Sequence, residues 1–251
     1  MTMLSLQSVS KKFGGVTAAQ DVTIDVTPGQ ITGLIGPNGA GKSTLVNLIT
    51  GMLTVSSGTI RFGERDITET DADEIARLGF ARTFQNIRLF KEAPVIDNLL
   101  IGFHKLQSSS VLSNILGLAG ARRESARIRD QAHGLLARFG MTRYADFPAG
   151  GLAYGHQRRV EIMRALASSP SVLLLDEPVA GMNDVEAGEL GEIFRALSDS
   201  GMALLLIEHN VRFVTRLCRH VYVLDSGRII AEGTPDSVIA DPAVITAYLG
   251  A

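Results

Sequence analysis

Apolar and polar residues alternate along Leu4-Ser-Leu-Gln-Ser-Val9 and Asp21-Val-Thr-Ile-Asp-Val26, the period-two pattern of strands with one face in solvent. Pro28-Gly29 makes a turn into Gln30 to Ile35, a charge-free run that predicts a buried strand. That strand ends in a glycine-rich loop, Gly36 to Gly41, and Lys42 to Thr50 then carries apolar residues at helical spacing until Gly51 stops it. Gly58 to Phe62 reads as a further strand and Asp71 to Leu78 as a short helix. From Pro94 to Arg143 the pattern turns helix-rich, with a soft region around Ser108, Ser109 and Ser110. The α/β rhythm then returns: Ser171 to Leu175 and Ala203 to Ile207 are short apolar runs of the kind buried in parallel sheets, followed by helices over Asp184 to Ser198 and Asn210 to Leu217. Val221 to Leu224 and Arg228 to Ala231 form a hairpin around Asp225-Ser226-Gly227. This order predicts one α/β core interrupted by a helical insertion, without internal repeats.

Composition narrows the picture. The 251 residues, 45% hydrophobic and 20% charged, suit one folded domain with a subdomain and exclude a disordered chain. A net charge of −2 argues against a nucleic-acid binder held by charge alone. The single cysteine, Cys218, leaves no internal disulfide or cysteine-based metal cluster and points to a reducing compartment. The N-terminal segment lacks the apolar core of a secretion signal, and the longest uncharged stretch, Ser43 to Ile60, is too rich in Ser and Thr to span a bilayer. Charge is uneven, however. Arg122, Arg123, Arg127, Arg129, Arg138 and Arg143 against Glu124 and Asp130 leave a local +4, either a solvated face or a surface for an acidic partner or lipid headgroups. Arg77, Arg82, Arg88 and Lys91 make Arg77 to Lys91 wholly cationic, again for solvation or for docking.

The chemistry concentrates at strand ends. Gly36, Pro37, Asn38, Gly39, Ala40, Gly41, Lys42 and Ser43, followed by Thr44, fit G-x-x-x-x-G-K-[ST] between a buried strand and a helix. In that setting backbone N–H groups wrap phosphate oxygens, the helix N-terminus adds its positive end, Lys42 neutralises the terminal phosphates and Ser43 ligates Mg²⁺. Asp176 and Glu177 end the strand Val172-Leu-Leu-Leu-Asp176, where one carboxylate holds Mg²⁺ and the next orients or deprotonates an attacking water. We assign Asp176 to the metal and Glu177 to the water. His209 follows the strand Ala203 to Ile207, at the sheet end where open α/β folds place ligands, and its imidazole can hydrogen-bond a γ-phosphate.

Together these residues resemble the ATP-binding-cassette (ABC) family over essentially the whole chain. The resemblance implies a P-loop NTPase fold: an α/β RecA-like core with an antiparallel β-subdomain and an inserted α-helical subdomain. It divides a single ABC ATPase domain into residues 1–93 and 168–251 as core and about 94–167 as the helical part. By the same likeness Phe13 stacks on adenine, Gln85 in Arg82-Thr-Phe-Gln85 contacts the metal and links nucleotide to a transmembrane partner, and His209 is the switch histidine. The family's Leu-Ser-Gly-Gly-Gln signature, which grips the ATP of a second copy, stands here as Leu152-Ala153-Tyr154-Gly155-His156. Ala153 removes a hydroxyl, Tyr154 replaces a glycine, and Asn183 stands where most cassettes carry Asp. Backbone N–H groups at the start of the following helix still bind anions.

The run Arg82 to Phe90, the Leu-Ala-Tyr-Gly form, Ala-Gly-Met-Asn183 and the ending Ala247-Tyr-Leu-Gly250 resemble the ATPase subunit of branched-chain amino acid importers, although His156 replaces the usual Gln. The resemblance implies ATP and Mg²⁺ as cofactors. It implies a second ATPase subunit (the same chain or a related one), membrane permease subunits, indirectly a solute-binding protein, and no nucleic acid. The chain would sit peripherally on the cytoplasmic face of the inner membrane. Urea, amide and lipopolysaccharide transporters use similar subunits. A non-transport cassette ATPase is the rival from another class, usually marked by coiled coils, a zinc hook or two cassettes in one chain, and a binding module that has lost catalysis is a further one.

Overall fold

The computed structural model describes residues 3–106 and 119–249, so the serine-rich stretch around Ser108 and the terminal Gly250 fall outside the described residues. By internal contacts the chain forms two compact units. One comprises Met1–Arg82, Ser171–Pro178 and Ala187–Ala251; the other comprises Thr83–Pro170 and Val179–Glu186.

The first unit holds two sheets. Strands β1 (Leu4–Phe13), β2 (Val16–Val26), β4 (Ser57–Phe62) and β5 (Arg65–Asp66) make an antiparallel sheet in the order β2-β1-β4-β5. β1 runs past the alternating segment because register shifts after Leu6 and Val9 break the period of two without ending the pairing. The second sheet has the order β10-β9-β3-β8-β7-β6, from β3 (Ile31–Ile35), β6 (Phe80–Arg82), β7 (Val172–Asp176), β8 (Ala203–Ile207), β9 (His220–Asp225) and β10 (Arg228–Gly233). All its neighbours run parallel except β9 and β10, the hairpin read from Asp225-Ser226-Gly227. Strands β3, β7 and β8 are buried along their whole length, as expected for runs that carry no charge apart from Asp176 at the tip of β7. Leu4, Leu6 and Ile24 from one sheet and Leu34, Leu174 and Leu205 from the other share a core with Leu45 and Ile49 of α1 (Lys42–Ile49). The unit also contains α2 (Ala72–Arg77).

In the second unit α3 (Val95–Gly102) packs against α4 (Ala119–Arg138) and α5 (Tyr154–Leu166). Ile128, Ala132 and Leu136 are buried on α4, while Arg122, Arg123, Arg127, Arg129 and Arg138 stay exposed, the amphipathic division expected of a surface helix. Asn98 on α3 is fully buried and pins the preceding loop: its Oδ1 accepts the Phe90 N–H (2.9 Å), and its Nδ2 donates to the carbonyls of Phe90 and Pro94 (3.1 Å each). The remaining helices are α6 (Asp184–Asp199), α7 (Val211–Leu217), α8 (Pro235–Ile239) and α9 (Pro242–Leu249). Among the described residues, no helix is long and apolar enough to cross a membrane.

Candidate nucleotide-binding site

The loop from Gly36 to Gly41 leaves the end of buried β3 and enters α1, and its backbone conformation demands glycine at two points. Gly36 (φ +151°) passes so close to β9 that a Cβ there would lie 2.0 Å from the Leu224 carbonyl oxygen; at Gly41 (φ +106°) it would lie 2.5 Å from the Ala18 carbonyl oxygen. Gly41 occupies the N-cap of α1 without a side-chain cap, which leaves first-turn N–H groups for an external acceptor. Ser43 in that turn is exposed, as are Asn38 and Gly39 at the loop tip. Lys42 is buried and curls back over the loop, its Nζ donating to the carbonyls of Gly36 (2.6 Å) and Pro37 (2.9 Å). Burial pulls its ammonium below the usual lysine range, and the carboxylates of Glu177 and Asp176 oppose that shift. Both carboxylates thus favour the charged form of Lys42.

Asp176 ends β7, pairs in register with Ile207 of β8, and is only 6% exposed. Glu177 follows with φ +47°, a left-handed conformation uncommon for a residue bearing a side chain, and its N–H donates to the Ile207 carbonyl (2.9 Å). His209 lies beyond the next strand, with Nδ1 3.3 Å from the Glu177 Oε1. Fully buried Glu208 supports this turn, its Oε2 accepting the N–H groups of His209 (3.2 Å) and Asn210 (3.4 Å). Asp176 and Glu177 from the end of β7 and His209 from just past β8 are thus brought together, with Lys42 at the start of α1 under the influence of both acids. A buried carboxylate, an exposed serine hydroxyl and an uncapped helix start suit a hard divalent cation carried by phosphates.

Two residues here went unassigned from sequence. Glu208 had no role, although a carboxylate closing a charge-free strand was a signal. Arg82 was placed with the surface cations, and the structure corrects this: its guanidinium turns inward, donating to Asn47 Oδ1 (2.7 Å) and Thr50 Oγ1 (3.3 Å) of α1 and its C-cap and standing 3.8 Å from Asp176 Oδ2. Nor does Arg77 stand as a lone cation, since it pairs with Asp73 one turn earlier on α2. Phe13 ends β1 as an exposed residue, with the Lys11 ammonium 5.1 Å from its ring centroid.

Gln85 and the Ala153–His156 segment belong to the second unit. Gln85 is exposed, and its carbonyl accepts from Arg158 (3.2 Å). Ala153 is the N-cap of α5 with no side-chain bond, the consequence of the missing hydroxyl. Gln157 reaches back to the Leu152 carbonyl (2.8 Å), and the half-buried His156 ring lies 4.8 Å from that of Tyr144. Tyr154 covers Gly181, whose Cβ position would be 3.1 Å from the ring. Asn183 Oδ1 accepts the N–H groups of Val185 and Glu186 (3.0 Å each), a cap that the family's Asp would make equally well.

A glycine-locked loop between a buried strand and a helix, beside an acid-tipped parallel strand, defines a P-loop nucleotide-binding protein with an added antiparallel sheet. Comparison with known proteins makes this specific. The ABC transporter family matches residues 19–180, and the branched-chain amino acid ATP-binding cassette transporter family matches residues 228–251. The high-affinity branched-chain amino acid transport ATP-binding protein LivG of Escherichia coli K12 is 39% identical over 249 residues, 99% of this chain and 98% of the relative. BraF of Pseudomonas aeruginosa, of the same description, is 38% identical over the same shares. The crystal structure of a nucleotide-free ATP-binding cassette from an ABC transporter superposes with a TM-score of 0.87 at 35% identity, covering both chains completely. The ADP conformation of an ABC transporter cassette matches equally well, with a TM-score of 0.87 and 35% identity over both complete chains. The chain belongs to the ABC transporter family, as an ATP-binding ATPase with the P-loop fold.

Proposed function

We propose that this chain is the ATP-hydrolysing subunit that energises a membrane importer of branched-chain amino acids. The full-length likeness to LivG and BraF supports the substrate class, as does the match over residues 228–251. One observation carries the hydrolytic reading: the Glu177 carboxylate, next after a buried strand-tip aspartate, favours the charged form of Lys42 and lies 3.3 Å from His209 Nδ1.

In this reading Gly36 to Thr44 wrap the phosphates, Lys42 exchanges its loop carbonyls for the terminal phosphate oxygens, and Phe13 offers its face to adenine. Ser43 and Asp176 would hold Mg²⁺, which would supply charge neutralisation at the phosphates, and Gln85 would be a further ligand by the family likeness. Glu177 accepts the proton of the attacking water, and His209 donates to the γ-phosphate and registers its departure. The chain acts as a single ABC ATPase domain whose second unit is the helical subdomain. Ala153, Tyr154, Gly155 and His156 of that unit face the nucleotide of a second ATPase subunit, so that ATP closes the pair and hydrolysis opens it. Permease subunits, fed by a solute-binding protein, receive that movement at the cytoplasmic membrane face, with the ATPase bound peripherally.

Glu177→Gln tests the catalytic core of the reading. Nucleotide binding is expected to persist, turnover to vanish and a dimer to accumulate with ATP; hydrolysis at the parental rate would remove Glu177 from the role of base. Co-purification of membrane subunits followed by uptake of labelled leucine tests the transport reading, and ATP-dependent uptake of a different solute would reassign the cargo.

A further inference from the structure

The second unit holds a buried pair of charged side chains. Arg158 on α5 is completely buried, at 0% exposure, and pairs with Glu161, 2% exposed, three residues along the same helix (2.6 Å). A buried ion pair offers little net stability over apolar side chains of the same size, because each charge gives up several kcal/mol of hydration, about as much as the pairing returns. The geometry shows where the remaining bonds go. Arg158 Nη1 donates to the Phe84 carbonyl, Arg158 Nη2 to the Gln85 carbonyl (3.2 Å), and Glu161 Oε1 accepts the Phe84 N–H (3.2 Å). Three backbone groups of two adjacent residues, the N–H and C=O of Phe84 and the C=O of Gln85, are therefore read by two side chains of one helix. That helix begins at Tyr154, within the Ala153–His156 segment. Gln85 itself is exposed.

We propose that Arg158 and Glu161 are positioning residues that set the backbone at Gln85 and mechanically link it to the helix headed by the Ala153–His156 segment. The inference rests on the reading of Gln85 as a contact to the nucleotide's metal and to the membrane partner. A planar guanidinium suits the task because it can fork between two adjacent carbonyls while meeting a carboxylate, which an ammonium cannot do in a fixed plane. A movement of α5 would then shift Gln85 without passing through the strand that bears the catalytic acids, and a displacement there would be felt as a rate.

The test is a double-mutant cycle on the purified full chain, reading ATPase kcat and KM together with binding of a fluorescent ATP analogue. Gln85→Ala is expected to lower kcat. Arg158→Met/Glu161→Leu is expected to lower kcat about ten- to a hundred-fold, the scale of an ångström-sized misplacement, with KM and analogue affinity unchanged within about twofold. In the Gln85→Ala background the paired substitution is expected to cost no further activity, because the residue through which it acts is gone. Should the paired variant fail to fold, Glu161→Gln, which keeps the acceptor for Phe84 and removes the charge, and Arg158→Lys, which keeps the charge and removes the fork, enter the same cycle. Parental kcat in these variants while Gln85→Ala is impaired would overturn the inference alone. The same holds for equal losses with and without Gln85, which denote a structural pair. Parental kcat in Gln85→Ala would overturn the reading of Gln85 and the inference with it.

Discussion

The backbone at Glu177 allows catalysis and strain to be separated at one position. Its φ of +47° places a side chain in the left-handed region, a conformation that costs about 1–2 kcal/mol for residues other than glycine. Comparing Glu177→Ala with Glu177→Gly removes the carboxylate, its contact with His209 and its field on Lys42 in both proteins, so the two differ only in backbone tolerance. Glycine relieves the strain and loses about 0.5–1 kcal/mol through the greater freedom of its unfolded chain. Taking the middle of these ranges, Glu177→Gly is expected to be more stable than Glu177→Ala by about 0.5–1 kcal/mol, or roughly 1–4 °C in Tm for a chain of this size. Both proteins should lose about 10²- to 10⁴-fold in kcat, the usual contribution of a positioned general base, equivalent to roughly 3–5 kcal/mol in the barrier. Denaturant titration, thermal melts and a coupled ATPase assay give the three numbers. If the alanine variant proves as stable as the glycine variant, the strain argument fails; if either variant turns over ATP normally, the catalytic argument fails independently.

Other outcomes follow from single contacts. Gly36→Ala should lose at least about 2 kcal/mol of stability and its nucleotide binding, because the new methyl meets the Leu224 carbonyl; Gly39→Ala, with open space around it, should lose less by denaturant titration, only the roughly 1 kcal/mol of placing a side chain at its φ of +83°. Lys42 has a folded-state pKa below its unfolded value, so the unfolded chain binds more protons between the two. The parental protein should therefore gain stability relative to Lys42→Met as pH rises from neutral towards about 10.4, and a flat difference would contradict the burial argument. The Cys218 thiol is buried and its pKa pushed up to about 12, by burial first and then by Glu208. A maleimide should accordingly label the native protein slowly at neutral pH and the unfolded protein at once. Asn98→Ala should cost about 2–3 kcal/mol by stranding the Phe90 N–H and the Phe90 and Pro94 carbonyls, and should raise amide exchange over residues 90–94.

The parts legible from sequence were those specified by short-range pattern. The phosphate loop, buried β3, β7 and β8, and the closing hairpin each announce themselves through neighbouring residues, and the structure places them accordingly. Strands β5 and β6, two and three residues long, have no room for a period and exist because longer strands lie alongside them. Partner choice was the other blind spot. Arg82 sits among cations along the chain, yet its neighbours in space are Asn47, Thr50 and Asp176, which only the fold brings together. Glu208 and Arg158 are charged residues in positions that composition assigns to solvent, and each is buried because its bonds go to backbone groups: Glu208 to those next to it, Arg158 to those more than seventy residues away in sequence.

The grip of Lys42 on the Gly36 and Pro37 carbonyls means that the loop is already moulded before any guest arrives. Its shape is settled when the chain folds, not anew at each encounter, and an incoming anion has to displace two backbone acceptors. Molecules lacking a polyphosphate tail have nothing to offer that ammonium in exchange. On the proposed reading, discrimination against nucleosides would reside in a lysine that stays satisfied until something more negative replaces its own backbone.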